Sequence, residues 1–312
     1  MILLRRTAVL AASLAAASAA VFAACAVLPG DTATVLLGDH ADPASVAALR
    51  HRLGTDRPLT AQYAGWAGAL LRGDLGVSPV SRLPVAAQIG DRLEVTLSLA
   101  LLGTLAAVAL AVPLGVLAAA HHRRPLGAAA SVLGQAGMAV PAFAAGILLA
   151  YVFAVRLRVL PAGGYVPFLA DPGEWLRHLV LPALALGLVQ GSVLSRYVRS
   201  AVLEVMREDF VRTVRAAGST WWGALWRHGL RNAAVPVVTV LGLQIASVLA
   251  GAIVIESVFT LPGLGQLLLR AVAGRDLILV QGTVMVLVAA VLVVNYLTDL
   301  LYLLLDPRLR TS

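Results

Sequence analysis

The sequence predicts an all-α integral membrane protein with six transmembrane helices. The chain is 60% hydrophobic and only 13% charged, whereas a soluble domain is usually about 45–50% apolar and about 25% charged. A helix needs about 20 consecutive, mostly apolar residues to cross the hydrocarbon core. Stretches free of Asp, Glu, Lys and Arg that approach or exceed this length are 7–30, 95–122, 125–155, 178–195, 232–255 and 277–298.

Residues 1–28 are predicted to form the first transmembrane helix. Arg5 and Arg6 precede an apolar run that reaches Leu28. This pattern, with Ala24-Cys25 near its end, also resembles a secretory or lipoprotein signal. The apolar run is longer than an ordinary signal core and no soluble domain follows it. We therefore expect an uncleaved span.

Residues 29–93 are predicted to form one extracytoplasmic segment with two short helices. Asp42 and Pro43 fit the cap and the first position of a helix that Gly54 ends. A second helix is expected over Leu59–Leu71. A segment of this size is too small to bury a core of its own. We therefore expect it to pack on the spans or on a partner.

Residues 94–312 are predicted to form the core domain, with five transmembrane helices and a cytoplasmic loop at 196–231. The run 257–269 is too short to cross the membrane and is interpreted as interfacial or re-entrant. Three prolines are expected to kink spans two to four, namely Pro113, Pro141 and Pro182. Small residues let helices approach closely, and the glycines in question are Gly103, Gly115, Gly134, Gly137, Gly242 and Gly251.

Arginine distribution predicts that the N-terminus and the C-terminus are cytoplasmic. Positive residues near the membrane favour the cytoplasmic side. With the N-terminus inside, the cytoplasmic segments hold 13 of the 24 arginines against four acids, and the outer segments hold 11 against nine. The net charge of +8 is thus a topology signal and requires no nucleic acid.

Composition also excludes several kinds of chemistry. The chain contains no lysine, which rules out a P-loop, whose lysine holds the nucleotide phosphates. Cys25 is the single cysteine, so an internal disulfide is impossible. His121 and His122 are adjacent, unlike the i, i+4 histidine pair of a helical metal site, and are read as a loop pair. We predict no enzyme activity and no metal in this chain.

The loop 196–231 is predicted to contain a helix, a sharp turn and a second helix lying against the membrane. Glu208 and Asp209 suit the positive end of a helix dipole. Gly218 permits a left-handed helix stop, and Ser219 or Thr220 can cap the next helix.

The first of these helices is predicted to have one apolar face and one charged face. Val211, Val214 and Ala217 form an apolar stripe, while Arg212 and Arg215 project elsewhere. Tryptophans suited to the membrane interface follow at Trp221, Trp222 and Trp226. From these residues alone, an interfacial loop held by lipid headgroups and a docking helix for a cytoplasmic partner are both open. Arg196 and Arg199 are expected to anchor the end of span four.

This segment resembles the EAA loop of ABC importer permeases, with the pattern E-A-A-x-x-x-G followed by I-x-L-P. Gly218 takes the glycine position, and Arg212, Thr213 and Val214 stand at the E-A-A positions. Nearly the whole chain is similar to the B-type permeases of dipeptide, oligopeptide and nickel importers. The matching elements are 207–213, 227–228, 230–232, 236–239, 256–259, 262–265 and 306–308, with 29–31, 62–63, 66 and 73–76 in the outer segment.

The resemblance implies a type I ABC importer permease (MetI-like) fold in the bacterial plasma (inner) membrane. It implies a heterodimer with a second homologous permease, two cytoplasmic ATPase subunits or a fused pair, and an extracytoplasmic binding protein. Residues 29–93 are the candidate for contact with that binding protein or for guarding the pathway entrance, and simple capping of the helix bundle is the alternative. ATP and Mg belong to the ATPase subunits, and this chain holds no cofactor. Membrane lipid surrounds the spans.

The resemblance also implies an ATPase-coupling role for the loop, in which its helix inserts into a groove of one ATPase. The residues proposed for that role are Glu208, Asp209, Val211, Arg212, Thr213, Val214, Arg215, Ala217, Gly218 and Trp221.

Polar residues on apolar spans are the candidates for the translocation path, because they are costly in lipid and usually face the interior. They are Gln135, Gln190, Gln244, Ser247, Glu256 and Asn295. For the glutamines, hydrogen bonding between helices is an equal alternative. Glu256 is expected either to snorkel to water or to meet a peptide amino terminus. Asp299 is expected to be structural.

Two other function classes are less well supported. A self-sufficient secondary transporter often shows internal repeats, and none is evident. An intramembrane enzyme needs a Ser/His, paired Asp or H-E-x-x-H arrangement, which the spans do not provide. Among cargoes, dipeptides are expected first, longer peptides second, and nickel or another small ligand third.

Overall fold

The computed structural model describes residues 2–27, 32–37 and 42–305. The predicted family elements at 29–31 and 306–308 lie outside these residues. The described chain is helical, with one isolated β-bridge between Val77 and Pro84. The helices are α1 (Ile2–Val27), α2 (Thr32–Leu37), α3 (Pro43–Leu53), α4 (Leu59–Leu71), α5 (Val85–Ala120), α6 (Pro125–Ala139), α7 (Ala142–Leu149, continued by a π-helix Ala150–Arg156), α8 (Pro172–Val205), α9 (Asp209–Ala216), α10 (Trp221–Ala224, continued by a π-helix Leu225–Gly229), α11 (Leu230–Val258), α12 (Leu264–Ala273) and α13 (Leu277–Leu305).

Five helical runs in the described residues are long and apolar enough to cross a membrane, and a bent helix pair makes up to six. The runs are Leu3–Val27, Val85–Ala120, Pro172–Val205, Trp221–Val258 and Leu277–Leu300. The fold class predicted from sequence is confirmed, and five of the six predicted spans fall largely within these runs. Several helices are longer than the charge-free stretches, because each helix continues into the polar residues at its ends.

The third predicted span is not one continuous helix. α6 and α7 are bent by 101° at the break between them. Pro141 has no N–H and its ring collides with the preceding turn, and it pushes Val140 into an extended conformation with φ −94° and ψ 120°. The expected kink is therefore a complete break at Pro141. Pro113 and Pro182 lie inside the uninterrupted helices α5 and α8.

The described chain forms two compact units, of which the first contains residues 1–94 and 262–293. Its core combines Val21 and Cys25 of α1 with side chains of α5, α12 and α13. α12, with 10 residues, occupies much of the run predicted to be interfacial or re-entrant and is too short to span. The predicted boundaries at residues 28 and 93 separate regions by their expected function, and they stay a prediction.

The short helices α3 and α4 of this unit follow the sequence prediction closely. α3 begins at Pro43 and is closed by Gly54, whose φ of +70° is left-handed. Asp42 occupies the cap position, although its side chain makes no capping hydrogen bond. α4 covers Leu59–Leu71, as predicted, and packs on α1, where the hydroxyls of Ser18 and Tyr63 lie 2.9 Å apart.

A buried carboxylate joins the segment after α4 to the last span. Asp276 is 3% exposed and accepts a hydrogen bond from the hydroxyl of Ser78. Its other oxygen accepts from the backbone N–H of Leu279, 3.1 Å away, in the first turn of α13. A carboxylate at a helix N-terminus also complements the helix dipole. Asp276 therefore fixes both the start of α13 and the turn that precedes α5.

The second unit contains residues 95–261 and 294–312, and α8 is its central helix. α8 packs against α6, α7 and α11. It also approaches α5 so closely that a Cβ on Gly187 would stand 2.6 Å from the Cβ of Ala106. All six glycines predicted to allow close helix approach have a neighbour within 3.1 Å of their missing Cβ. Small residues thus set the spacing of this bundle.

Candidate coupling and transport sites

α9 is a short helix attached along one side to its own chain. Glu208 occupies the N-cap position and Asp209 the first turn, as predicted. Val211 is completely buried. It belongs to a cluster with residues of α5, α8, α10 and α11, against which Val214 and Trp221 also pack. One side of α9 is therefore packed directly against those helices.

Val211 is covered by the chain itself, so it is not accessible for the partner contact that the resemblance implied for it. Val211 and Val214 face inward because the end of α8 and the start of α11 offer an apolar surface that water would otherwise cover. Ala217 is exposed, since it ends the helix as its C-cap.

The exposed side of α9 is polar and positively charged. The side chain of Arg212 is 73% exposed and lies 3.6 Å from Asp209, one turn earlier. Thr213 and Arg215 are exposed as well. Phe210 is 41% exposed and was missed in the sequence prediction. A large aromatic side chain next to arginines is the pattern of an interface anchor.

The turn after α9 has the predicted geometry. Gly218 adopts a φ of +96°, and a Cβ placed there would meet nothing within 4 Å. The requirement for glycine therefore comes from the backbone conformation and not from crowding. The hydroxyl of Thr220 accepts the N–H of Gly223 at 3.1 Å and caps the next helix.

The helix after this turn differs from the prediction. It does not lie separately against the membrane, since residues Trp221–Val258 form one helical run of 38 residues. The loop that contains α9 therefore leads through a single turn into a helix long enough to cross a membrane.

α8 continues past Arg196 and Arg199 to Val205, and their predicted place at the end of span four stays a prediction. Both arginines border a small cavity of about 40 Å³ between α5, α6 and α8. Gln135, a predicted path residue, lines the same cavity and is exposed. The structure therefore brings one predicted path residue together with two arginines.

Gln190 and Gln244 also meet. The side-chain amide of Gln244 donates to the backbone carbonyl of Gln190 at 3.4 Å, and Gln244 is 8% exposed. This contact joins α11 to α8 and matches the alternative of hydrogen bonding between helices. Ser247 is exposed on α11, and Asn295 is half-buried on α13.

Glu256 is not at a water-facing position. It is fully buried, and its carboxylate accepts a hydrogen bond of 2.6 Å from the hydroxyl of Thr96 on α5. The expected snorkelling to water is therefore wrong, and the carboxylate lines no open path in this structure. The turn that follows is tight, since Leu261 N–H donates to the Glu256 carbonyl and Thr260 has a φ of +50°.

The loop between α7 and α8 contacts the end of α11, three residues after Glu256, and this contact was not predicted from sequence. The N–H of Gly164 donates to the carbonyl of Phe259, and Nδ1 of His178 lies 3.0 Å from the carbonyl of Gly163. The loop between α7 and α8 is thus held against the end of α11. Only the glycine pair at 163–164 hints at this close approach in the sequence.

Comparison with known proteins identifies the family. Residues 111–311 match the binding-protein-dependent transport system inner membrane component, and residues 1–100 match the N-terminal part of such membrane components. The chain belongs to this family. It is therefore a membrane-embedded permease subunit of the ABC importer type, with the MetI-like fold, and such systems include a substrate-binding protein and ATPase subunits.

Relatives cover nearly the whole chain. A Brucella abortus (strain 2308) permease protein named for a peptide transport system is 42% identical over 283 residues, which are 91% of this chain and 90% of that protein. The glutathione transport system permease protein GsiC of Salmonella choleraesuis (strain SC-B67) is 39% identical, with the same coverage. A peptide ABC transporter permease protein of Sinorhizobium fredii (strain NBRC 101917 / NGR234) is 38% identical over 283 residues.

Proposed function

We propose that this permease carries di- or oligopeptides inward across the membrane, after an extracytoplasmic binding protein delivers them and while ATP is hydrolysed by partner subunits. Peptide cargo is supported by the names of relatives that match about nine-tenths of the chain, among them two peptide permeases and one glutathione permease. Dipeptides remain the first choice, and nickel or another small ligand is the alternative. The partner arrangement proposed is a heterodimer with a second homologous permease and two ATPase subunits or a fused pair.

The cargo proposal is tested on the cognate binding protein, which sets much of the selectivity in such systems. Isothermal titration with a dipeptide, a hexapeptide, glutathione and Ni²⁺ is the direct measurement. Binding of the dipeptide or another peptide is expected. Binding of Ni²⁺ alone would replace peptide by metal as the cargo.

α9 is the proposed coupling element. The observation that carries this role is the division of the helix into a buried face around Val211 and an exposed face with Phe210, Arg212 and Arg215. The exposed face is proposed to enter a groove of the ATPase, where guanidinium groups make charge-assisted hydrogen bonds. The buried face transmits the movement, because a packed core shifts as a body and does not deform continuously. Both termini and α9 are proposed to be cytoplasmic.

Reversing the charge of Arg215 is expected to uncouple the importer. In the reconstituted complex, Arg215→Glu should lower substrate-stimulated ATP hydrolysis and uptake by about tenfold or more, because it sets a like charge against the partner's acidic groups. Arg123→Glu is the matched control, since Arg123 is an exposed arginine on a different loop. Equal activity of the two variants would remove α9 from the coupling mechanism.

Val211→Ala separates docking from transmission. The substitution leaves the exposed face of α9 intact and opens a void in the cluster that holds the helix. We expect the ATPase to co-purify as before while uptake per ATP hydrolysed falls. If the variant lost the ATPase altogether, Val211 would have to contact the partner directly, contrary to its burial.

A further inference from the structure

A cavity of about 370 Å³ lies within the first unit. Its walls come from the last turns of α1, the turn between α3 and α4, the first half of α4, and the start of α13. Phe22, Trp66 and Ile278 provide apolar surface, and Arg57 and Gln281 provide polar groups. The volume falls in the range of about 300–1,000 Å³ that is common for small-molecule sites.

The cavity lies at the level where two spans leave the membrane. The apolar run of α1 ends at Val27, and that of α13 begins at Leu277. The end of the first span and the start of the last span therefore both line the cavity. Between them, α4 contains no charged residue. The ring of Phe22 lies 5.4 Å from that of Tyr63 and 6.0 Å from that of Trp66, measured between centroids. Aromatic residues of this kind mark the boundary between hydrocarbon and headgroups.

The charge at the cavity edge is positive. Arg57 is exposed and forms no ion pair in the part of the chain that the structure describes. The neighbouring carboxylate of Asp56 is held by Nδ1 of His51 at 2.7 Å, and this hydrogen bond lowers the pKa of Asp56. Arg57 lines the cavity, with its Nε 3.8 Å from the position of a Cβ on Gly54, another lining residue. The adjacent Asp56 is hydrogen-bonded to His51, and the charge of Arg57 makes a smaller contribution to its lowered pKa.

We propose that this cavity binds an anionic phospholipid of the leaflet on which α3 and α4 lie. One acyl chain contacts Phe22, Trp66 and Ile278, and the phosphate is bound by Arg57, whose donors suit phosphate oxygens. The lipid thereby fastens the α3–α4 pair to the first and last spans. This inference does not depend on the cargo or on the coupling role of α9.

An acidic loop of the binding protein is the competing occupant. The lining favours lipid, because about half of it belongs to the membrane-spanning runs of α1 and α13. Lipid is already present at that depth, whereas a loop of a soluble protein would have to enter the edge of the hydrocarbon layer.

Native mass spectrometry of the purified importer measures the selectivity. The complex is titrated with dioleoylphosphatidylglycerol or dioleoylphosphatidylcholine, and retained lipid is counted. Phosphatidylglycerol is expected to be retained more strongly. Arg57→Gln should weaken that retention by roughly fivefold, the effect expected of one arginine near an anionic headgroup. Arg52→Gln is the matched control, because Arg52 is an exposed arginine of α3 outside the cavity.

Filling the cavity tests the acyl-chain contact. Gly65 lines the cavity and has nothing within 4 Å of its missing Cβ, so Gly65→Leu should fold normally and displace the lipid. Gly90→Leu is the control, since Gly90 is equally unhindered and lies outside the cavity. Equal retention of both lipids by all variants overturns the proposal. A second result also overturns it. In that result, Arg57→Gln and Gly65→Leu leave the retention of both lipids unchanged but weaken association of the binding protein with the importer in nanodiscs of pure phosphatidylcholine.

Discussion

Replacing Gly187 with leucine is expected to destabilise the helix bundle by about 3 kcal/mol or more, because overpacking against backbone cannot be relieved by a rotamer change. A Cβ at Gly187 already stands 2.6 Å from the Cβ of Ala106 and 3.1 Å from the backbone carbonyl carbon of that residue. A leucine would force α5 and α8 apart along their shared seam.

The measurement is the thermal unfolding midpoint of the detergent-solubilised protein, followed by circular dichroism. Gly187→Ala should show a smaller shift in the same direction. Gly90→Leu carries the same leucine at an exposed position of α5 with no neighbour within 4 Å of the new Cβ. Indistinguishable midpoints for Gly187→Leu and Gly90→Leu would contradict the close packing of α5 and α8.

Glu256→Ala is expected to cost about 2–4 kcal/mol of stability, because it leaves a cavity and removes the acceptor of a buried hydroxyl. The carboxylate is fully buried and accepts from Thr96 at 2.6 Å. Glu256→Gln keeps an acceptor oxygen and nearly the same volume, so it should fold close to normally. The mild effect of the glutamine variant distinguishes a structural hydrogen bond from a charge that the cargo requires.

Stability and transport are both measured for these variants. Ser257→Ala is the control, because Ser257 is an exposed neighbour that donates only to its own helix, at the carbonyl of Ile253. If Glu256→Gln unfolded normally but raised the KM for peptide uptake many-fold, Glu256 would contact the cargo. The buried structural role derived from its contacts would then be wrong.

Local sequence features predicted much of this fold. The bounds of α4, the stop at Gly54, the left-handed turn at Gly218 and the cap at Thr220 all depend on residues within one helical turn. The charge-free runs likewise identify the spans, since burial of backbone in lipid requires helix. The six close-approach glycines followed from residue size alone.

Features that depend on distant partners were missed. A glutamate near the end of an apolar run is compatible with snorkelling, whereas the hydrogen bond from Thr96, 160 residues away, shows that Glu256 has a buried partner. Val211 and Val214 form an apolar stripe whichever surface covers them, so the sequence could not distinguish an ATPase from the chain's own α8 and α11. Pro141 predicted a bend, but the 101° angle depends on the packing of α7 against α8 and α11.

The most direct test of the central claim is peptide uptake by proteoliposomes of defined composition. One set contains this chain, the second permease and the ATPase subunits, with binding protein and labelled dipeptide outside and ATP inside. A second set contains this chain alone. We predict ATP-dependent accumulation in the complete set, its loss with Arg215→Glu, and no accumulation in the second set. Peptide accumulation by this chain alone, without ATP, would contradict its assignment as a subunit of an ATP-driven importer.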